Sequence, residues 1–310
     1  MSPTSGRVRP TARHANQTSR RLVPSFYVIG AGRVGLGLAK LLRARGWRLL
    51  GVWNRKVAGR RRAHRFLGIR ADGGTLPEAL AQADLVLVTV SDAAVGTIGA
   101  KLARVSLARG AVIAHTAGAL PAAALGRGIV AHLGSVHPLV ACSAPAQAAR
   151  SLPRASFTIE GDATARRLLG RLVRALDGRA FAIPAAGKPR YHAALVMASN
   201  LVIALLYLAE QEAKAAGLRH SRSVAALTAG AIELALARGV EAALTGPIVR
   251  GDSQTVASHL AVLGKNALPS YVALSQVALA IARRRGLSPS AARVIAKVLR
   301  GITPLSAAES

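Results

Sequence analysis

Three glycines stand in the pattern that dinucleotide-binding proteins place between a first strand and a first helix. They belong to the hexapeptide Gly30-Ala31-Gly32-Arg33-Val34-Gly35. The first glycine allows a tight turn, the second lets the backbone approach a pyrophosphate, and the third lets the helix pack closely on the strand. The N-terminus of the helix then offers N–H groups to the phosphates. The hexapeptide therefore predicts a site for a nicotinamide dinucleotide.

The residues that follow the second predicted strand favour NADP over NAD. Proteins that prefer NAD carry an acid about 20 residues beyond the glycines, where it binds the ribose 2′-OH. This chain has Asn54, Arg55 and Lys56 there, with a run of three arginines at 60–62. A guanidinium binds a 2′-phosphate through charge-assisted hydrogen bonds, whereas a carboxylate would repel it. The alternative for the run at 60–62 is a solvated helix face.

Polar residues stand out around a largely apolar predicted helix: Lys188 just before it, and His192, Ser199 and Asn200 within it. Hydride transfer to a carbonyl or imine needs a matching proton, and histidine titrates near neutral pH. We predict His192 as the general acid, with Lys188 as the alternative donor, and Asn200 as a third catalytic candidate. On an uninterrupted helix Ser199 and Asn200 share one face with His192. A neighbouring helix could satisfy Asn200 equally well.

Other polar residues follow the predicted strands of the sheet. In an open α/β sheet the ligand lies beyond the carboxyl ends of the strands. Val90, Ser91 and Asp92 follow one strand, and His115 and Thr116 follow the next. We predict that these five residues border the cofactor. Asp92 could instead cap the helix that follows it.

His137, Ser199 and Arg250 are the predicted substrate contacts. Pro138 holds His137 in an extended conformation, which fixes the direction of its ring. The alternative for His137 is a packing role. Arg250 could bind an anionic group, and His259 lies further along the helix that follows. Asp252 is predicted to be the N-cap of that helix.

Short apolar runs that alternate with helical segments predict an α/β fold with a doubly wound, mostly parallel Rossmann sheet. The predicted strands are 26–29, 48–53, 85–90, 111–114, 129–133, 157–160 and 181–183. Beyond residue 184 the pattern is helical, with segments at 189–216, 223–238, 253–263, 269–285 and 289–299. We therefore predict a basic tail at 1–23, a Rossmann domain at 24–184 and an all-α domain at 185–310.

The positive charge of the chain is concentrated near its beginning. The net charge is +29, and residues 1–71 contain 17 Lys or Arg and no acid. Such a field attracts phosphorylated ligands and nucleic acids alike. An arginine-rich proteome would give the same composition. An aromatic content of 3% and the lack of a nucleic-acid-binding signature argue against nucleic acid as a partner.

The remaining composition excludes several classes of site. A single cysteine, Cys142, allows no internal disulfide, and the eight histidines show no metal-binding spacing, so we predict no metal and a cytoplasmic protein. The most apolar run, 193–208, has 16 residues with Ser199 and Asn200 in its middle. A membrane span needs about 20 apolar residues, so we predict a buried helix and no membrane partner.

Taken together, eight segments resemble the Rossmann-like proteins that carry the C-terminal domain of unknown function 2520. Beside the glycine hexapeptide they are Val-Thr-Val-Ser-Asp at 88–92, His-Thr-Ala-Gly at 115–118, His-Pro-Leu at 137–139, Ile-Glu-Gly-Asp at 159–162, Tyr-His-Ala-Ala at 191–194, Ser-Asn at 199–200 and Thr-Gly-Pro-Ile-Val-Arg-Gly-Asp at 245–252. The resemblance covers about residues 26–285. Two departures are Ala117, where we expect a serine, and the sequence at 140–142, where we expect Gln and an aromatic residue.

The resemblance implies an NADP-binding domain and a helical domain similar to those of 6-phosphogluconate dehydrogenase and pyrroline-5-carboxylate reductase. It implies a homodimer formed through the helices, and a first helix of the second domain that faces the nicotinamide. It names no substrate. The resulting hypothesis is an NADP-dependent oxidoreductase that acts on a small carbonyl or imine metabolite. A dinucleotide sensor without turnover, a nucleic-acid-binding protein and a flavin or deazaflavin as hydride partner are the alternatives.

Overall fold

The structure is a computed structural model that describes residues 23–301. The chain divides into two compact units, Met1–Val196 and Met197–Ser310, so that the division falls inside a helix. The basic tail predicted at 1–23 lies outside the described residues except for residue 23. Each unit is described below by itself.

The first unit is built on one seven-stranded sheet. Its strands are β1 Ser25–Ile29, β2 Arg48–Trp53, β3 Leu85–Val88, β4 Val112–His115, β5 His132–Pro138, β6 Ser156–Gly161 and β7 Arg179–Ala182. Their spatial order is β2-β1-β3-β4-β5-β6-β7, and all neighbours are parallel except β5 and β6. The predicted doubly wound, mostly parallel sheet is confirmed. The order reverses between β1 and β3, which is where such sheets bind ligands.

Helices cover both faces of the sheet. They are α1 Arg33–Ala44, α2 Val57–Leu67, α3 Val95–Leu102, α4 Pro145–Ser151 and α5 Ala163–Ala175. Alternate residues of a strand point to opposite faces. In β1, Phe26 and Val28 join one core while Tyr27 and Ile29 join the other, and all four are fully buried. Burial on both faces explains why the strands are continuous apolar runs.

Within residues 197–301 the second unit consists of helices and the loops that join them. The helix α6 Lys188–Ala198 leads into it, and α7 Asn200–Ala215, α8 Ser221–Arg238, α9 Val240–Ala243, α10 Pro247–Arg250, α11 Ser253–Val262, α12 Leu268–Arg284 and α13 Pro289–Arg300 follow. Its core lies among α10 to α13 and includes Ile248, Val256 and Ile295. Asp252 accepts a hydrogen bond from the Thr255 backbone N–H, so the predicted N-cap is confirmed.

The sheet differs from the prediction at β5. The apolar run predicts a strand at 129–133, but the strand is His132–Pro138, and Val130 is 91% exposed. Pairing with β4 on one side and β6 on the other decides where this strand lies. The short helix α4 has no counterpart among the predicted elements.

The long helix predicted at 189–216 is broken. Ser199 has φ −130° and ψ −75°, so α6 ends before it and α7 begins after it. The Ser199 hydroxyl donates to the Asn200 side-chain oxygen over 3.0 Å. Such local bonds compete with helical ones. The prediction that His192, Ser199 and Asn200 share one helix face required an unbroken helix and loses its basis.

The prediction of a buried helix at 193–208 is wrong for the described chain. Met197, Ile203 and Tyr207 are 66%, 66% and 61% exposed. No described element covers these side chains. The helical stretch Ala185–Ala215 is long and apolar enough to cross a membrane by length and composition alone. Helices from protein interiors satisfy the same criterion.

Candidate active site

The glycine turn after β1 has the geometry that a diphosphate requires. Gly30 has φ +112°, and a Cβ there would lie 2.6 Å from the Thr89 carbonyl oxygen. A Cβ on Gly35 would lie 2.1 Å from Thr89 Oγ1. A Cβ on Gly32 would meet nothing closer than 3.6 Å. Gly30 and Gly35 are therefore required by packing, while the backbone at Gly32 stays open to a ligand.

Thr89 links this turn to the end of β3 by hydrogen bonds. Its hydroxyl donates to the Gly30 carbonyl over 2.7 Å, and its backbone N–H donates to the Ile29 carbonyl over 2.7 Å. The side chain is buried. The sequence motif at 88–92 contains Thr89, but its role follows only from the contact with both glycines.

Asn54 and two arginines shape the loop after β2. Asn54 Oδ1 accepts from the Ala31 backbone N–H over 3.0 Å, and its Nδ2 donates to the Lys56 carbonyl over 2.9 Å. Arg62 donates to the Ala31 carbonyl over 3.2 Å. Asn54 thus positions the glycine turn, and Arg62 is more than part of a solvated face.

Arg60 donates to the carbonyls of Asn54 and Arg55 over 3.2 and 3.0 Å. The side chains of Arg55 and Lys56 are exposed. The N-terminus of α1 has Gly32 as its N-cap and no side-chain cap. A cation beside the loop and an uncapped helix N-terminus are the two features that an adenosine 2′-phosphate and a pyrophosphate need.

The residues after β3 are open to solvent. Ser91 and Asp92 are exposed, and a single 3₁₀ turn, Asp92–Ala94, precedes α3. Neither that turn nor α3 has a side-chain cap hydrogen bond. The alternative role of Asp92 as a helix cap is therefore wrong, and its carboxylate lies at the carboxyl edge of the sheet.

The ring of His115 is fully buried and bonded on both sides. Its Nδ1 accepts from the Ala117 backbone N–H over 3.2 Å, and its Nε2 lies 2.9 Å from the Pro121 carbonyl oxygen. This arrangement fits a neutral ring with its proton on Nε2. Burial lowers the pKa of His115, which agrees with that form. The ring holds the loop at 116–121, so a cofactor contact here falls to the backbone and to Thr116.

Lys188 is fully buried and belongs to a chain of polar contacts. Its Nζ donates to Ser135 Oγ over 2.8 Å, and that hydroxyl lies 3.2 Å from Glu160 Oε2. Glu160 also accepts from the Ala122 backbone N–H over 2.6 Å. Burial lowers the pKa of Lys188, and the charges of Glu160 and Asp92 oppose that shift. The sequence motifs include Glu160 but gave no sign that it partners a lysine.

Three aromatic side chains meet beside Lys188. His137 Nδ1 lies 2.9 Å from the Tyr191 hydroxyl, and the His137 and His192 rings stack edge to face with centroids 5.9 Å apart. Burial, together with nearby His192, Lys188 and His115, lowers the pKa of His137 to about 4. His137 is therefore neutral at pH 7.

Gly118 makes room for this cluster. A Cβ on Gly118 would lie 2.5 Å from His192 Nδ1 and 3.0 Å from His137 Nε2. Among the described residues, His192 Nδ1 is buried and has no hydrogen-bond partner. Tyr191 and Gly118 were not among the predicted site residues.

The two groups of residues lie along the same edge of the sheet. The glycine turn follows β1, while His137 lies near the end of β5, three strands away in the order β1-β3-β4-β5. Neighbouring strands are about 4.8 Å apart, so the separation is about 14 Å. An extended ligand that begins at the turn can reach the histidines along this edge.

The predicted residues of the second unit are described separately. Ser199, Asn200 and Arg250 are exposed. The ring of His259 bonds to the Tyr271 hydroxyl over 2.8 Å. No group of three or more His, Cys, Asp or Glu within residues 23–301 could hold a metal ion.

Comparison with known families accounts for most of the chain. Residues 10–141 match the Rossmann-like domain, and residues 155–299 match the domain of unknown function DUF2520. The chain joins a Rossmann-like domain to a DUF2520 domain. The resemblance inferred from the motifs is confirmed. No curated protein sequence matches this Rossmann–DUF2520 chain significantly.

Solved structures share the fold. Protein TM1727 from Thermotoga maritima is 23% identical, with a TM-score of 0.66 over 84% of this chain and 99% of that one. BF3122 from Bacteroides fragilis, provisionally described as an NADP oxidoreductase, is 22% identical, with a TM-score of 0.64 over 84% and 97%. A reductive aminase from Aspergillus terreus, bound to NADPH and ethyl-5-oxohexanoate, is 18% identical, with a TM-score of 0.55 over 90% and 93%.

Proposed function

We propose that the Rossmann–DUF2520 chain is an NADP-dependent oxidoreductase that acts on a small carbonyl or imine metabolite. The observation that carries this proposal is the glycine turn, in which Gly32 leaves the backbone open in front of an uncapped helix. The exposed Arg55 after β2 favours NADP over NAD. The descriptions of BF3122 as an NADP oxidoreductase and of the A. terreus enzyme as an NADPH complex support the same class.

In this proposal the bound dinucleotide supplies or accepts the hydride, and the chain supplies the proton. His192 is the proton donor through Nε2, since its Nδ1 is buried against Gly118. Lys188 is a positioning residue, because its ammonium is fully buried on Ser135. The neutral His137 and the Tyr191 hydroxyl border the substrate. Asn200, Ser199 and Arg250 remain proposed ligand contacts of the second unit, with Arg250 for an anionic group.

A homodimer formed through the helical unit is part of the same proposal. Large apolar side chains of α7 and α8 are exposed, among them Ile203 at 66% and Leu236 at 84%. Exposed apolar patches of this kind mark protein interfaces. The resemblance to families that dimerise through such helices supports a second copy as the partner.

Nucleotide binding tests the first half of the proposal. Thermal shift and calorimetry with NADP+, NADPH, NAD+ and NADH should show tighter binding of the 2′-phosphorylated forms. Arg55→Ala should weaken NADP+ by about 10- to 100-fold, the loss of a charge-assisted hydrogen bond, and leave NAD+ unchanged. Arg65→Ala, an exposed arginine of α2, is the matched control. Equal binding of NAD+ and NADP+ by the unaltered chain would overturn the NADP preference.

Turnover tests the second half. In a screen of carbonyls and imines followed by NADPH absorbance, His192→Ala should lower kcat about 10²- to 10⁴-fold while nucleotide affinity is kept. Undiminished turnover would remove His192 from the mechanism. Tight NADP binding with no active substrate would instead favour a dinucleotide sensor without turnover.

A further inference from the structure

A large cavity lies at the edge of the sheet opposite the glycine turn. Its volume is about 1210 Å³, and its lining includes Ser25, Arg48 and Val112, the first residues of β1, β2 and β4. The candidate active site lies beyond the other ends of the same parallel strands. The cavity is therefore separate from that site, and it lies entirely within the first unit.

Arginines dominate the charged lining of this cavity. Arg48, Arg109, Arg167 and Arg171 line it, and Asp84 is the one carboxylate on the described lining. Asp84 Oδ2 accepts from the backbone N–H and the hydroxyl of Ser25 over 2.8 and 2.7 Å, which directs that oxygen toward β1. Four positive charges facing one negative charge in a concave site concentrate anions.

Some arginines of this unit have a side-chain partner. Arg43 donates to the Leu67 carbonyl, and Arg45 pairs with Asp177 over 3.0 Å. Within residues 23–301, by contrast, no side-chain hydrogen bond or ion pair engages Arg48, Arg109 or Arg167. β2, the loop before β4 and α5 thus bring to one cavity three guanidinium groups without a protein partner among the described residues.

We propose that this cavity binds a compact phosphate-rich anion, recognised through adjacent phosphoryl groups. Guanidinium groups bind phosphate oxygens through paired, charge-assisted hydrogen bonds. Thr164, in the first turn of α5, also lines the cavity. No aromatic residue is on the described lining, so the cavity offers no platform for stacking a base. A short polyphosphate chain, free or as part of a nucleotide, matches this chemistry. Nucleic acid fits the lining of this cavity less well, because proteins bind it along many nucleotides.

The test uses sodium tripolyphosphate and calorimetry on the full chain at about 0.15 M salt, where weak surface attraction is screened. Arg109→Glu/Arg167→Glu should weaken binding at least tenfold. Arg104→Glu/Arg150→Glu changes the net charge equally at exposed positions away from the cavity and should stay within twofold. Equal losses in both variants would overturn the proposal, because the overall charge of the chain would then explain binding.

Two further arms complete the experiment. If the Glu variant unfolds, Arg109→Gln/Arg167→Gln replaces it, and NADP+ stabilisation should be unchanged in either. A labelled single-stranded oligonucleotide should be displaced by tripolyphosphate or should not bind; an oligonucleotide that binds the cavity while tripolyphosphate does not would overturn the proposal in favour of nucleic acid. ATP and adenosine are then titrated separately. ATP should bind and adenosine should not, because the cavity is proposed to recognise the phosphoryl groups alone. Failure here leaves the proposed oxidoreductase function untouched.

Discussion

The two units of the chain bury apolar surface to very different extents. In the first, β3 is buried from end to end and both faces of the sheet have complete cores. In the second, α7 has no buried residue, and Leu236 of α8 is 84% exposed. The first unit can therefore be stable as a single copy. The helices α7 and α8 are as apolar as helices of a protein interior, but their large apolar side chains are exposed.

The units also differ in the polar groups that they bury. Thr89, His115, Ser135 and Lys188 are all buried in the first unit and all lie at the candidate active site. In the described part of the second unit the buried polar residue is Ser275. Buried polar groups destabilise a protein unless they are bonded. Their concentration in the first unit supports the proposed site there, and the exposed apolar surface of the second unit supports the proposed dimer.

A charge on the exposed helical face should have the largest effect. If a second copy covers α8, Leu236→Glu buries a carboxylate in an apolar contact and should weaken self-association by about 100-fold or more. Val130→Glu is the control, because Val130 is equally exposed but belongs to the first unit. Sedimentation velocity across a concentration series measures the change. A monomeric unaltered chain, or equal effects of both substitutions, would contradict the dimer.

The stability of the first unit should depend on pH through His137. The pKa of His137 is about 4 in the folded chain, below its ordinary value. The unfolded chain then binds more protons between about pH 6.5 and 4, so stability falls as pH falls through that range. We expect His137 to account for about 2 kcal/mol of the loss between pH 7 and pH 5.

Tryptophan fluorescence isolates this effect, because both tryptophans, Trp47 and Trp53, lie in the first unit. Urea unfolding at the two pH values should show a smaller loss for His137→Gln than for the unaltered chain. His64→Gln, an exposed histidine of α2, should behave like the unaltered chain. A loss that is the same in all three proteins would show that His137 is not the group responsible.

The smallest effect is expected from the hydrogen bond between the Thr89 hydroxyl and the Gly30 carbonyl. Thr89→Val keeps the shape of the side chain but leaves the Gly30 carbonyl without its donor, which should weaken NADP+ binding by about 5- to 20-fold. Thr89→Ser retains the hydroxyl and should restore most of the affinity. Titration calorimetry and urea unfolding together separate the two roles, because loss of stability with unchanged affinity would mean that Thr89 serves the fold alone.

The sequence alone predicted the turn, the sheet and the helical half. The three glycines and the alternation of short apolar runs with helices are local signals, and local signals survive without tertiary context. The position of β5 was missed because its bounds are set by pairing with β4 and β6, which a local pattern does not show. The break at Ser199 was missed because two adjacent side chains bond to each other instead of supporting the helix.

What the sequence by itself determined is therefore the chain's architecture, since the spacing of short apolar runs and helices specifies it; the spacing of the glycines also carries the proposed dinucleotide ligand. Only the tertiary structure decided which polar residues act together. Gly118 touches His137 and His192, and Lys188 meets Ser135 53 positions away. These residues come from β5, from the loop after β4 and from α6, which are far apart in the sequence, so only folding brings them together.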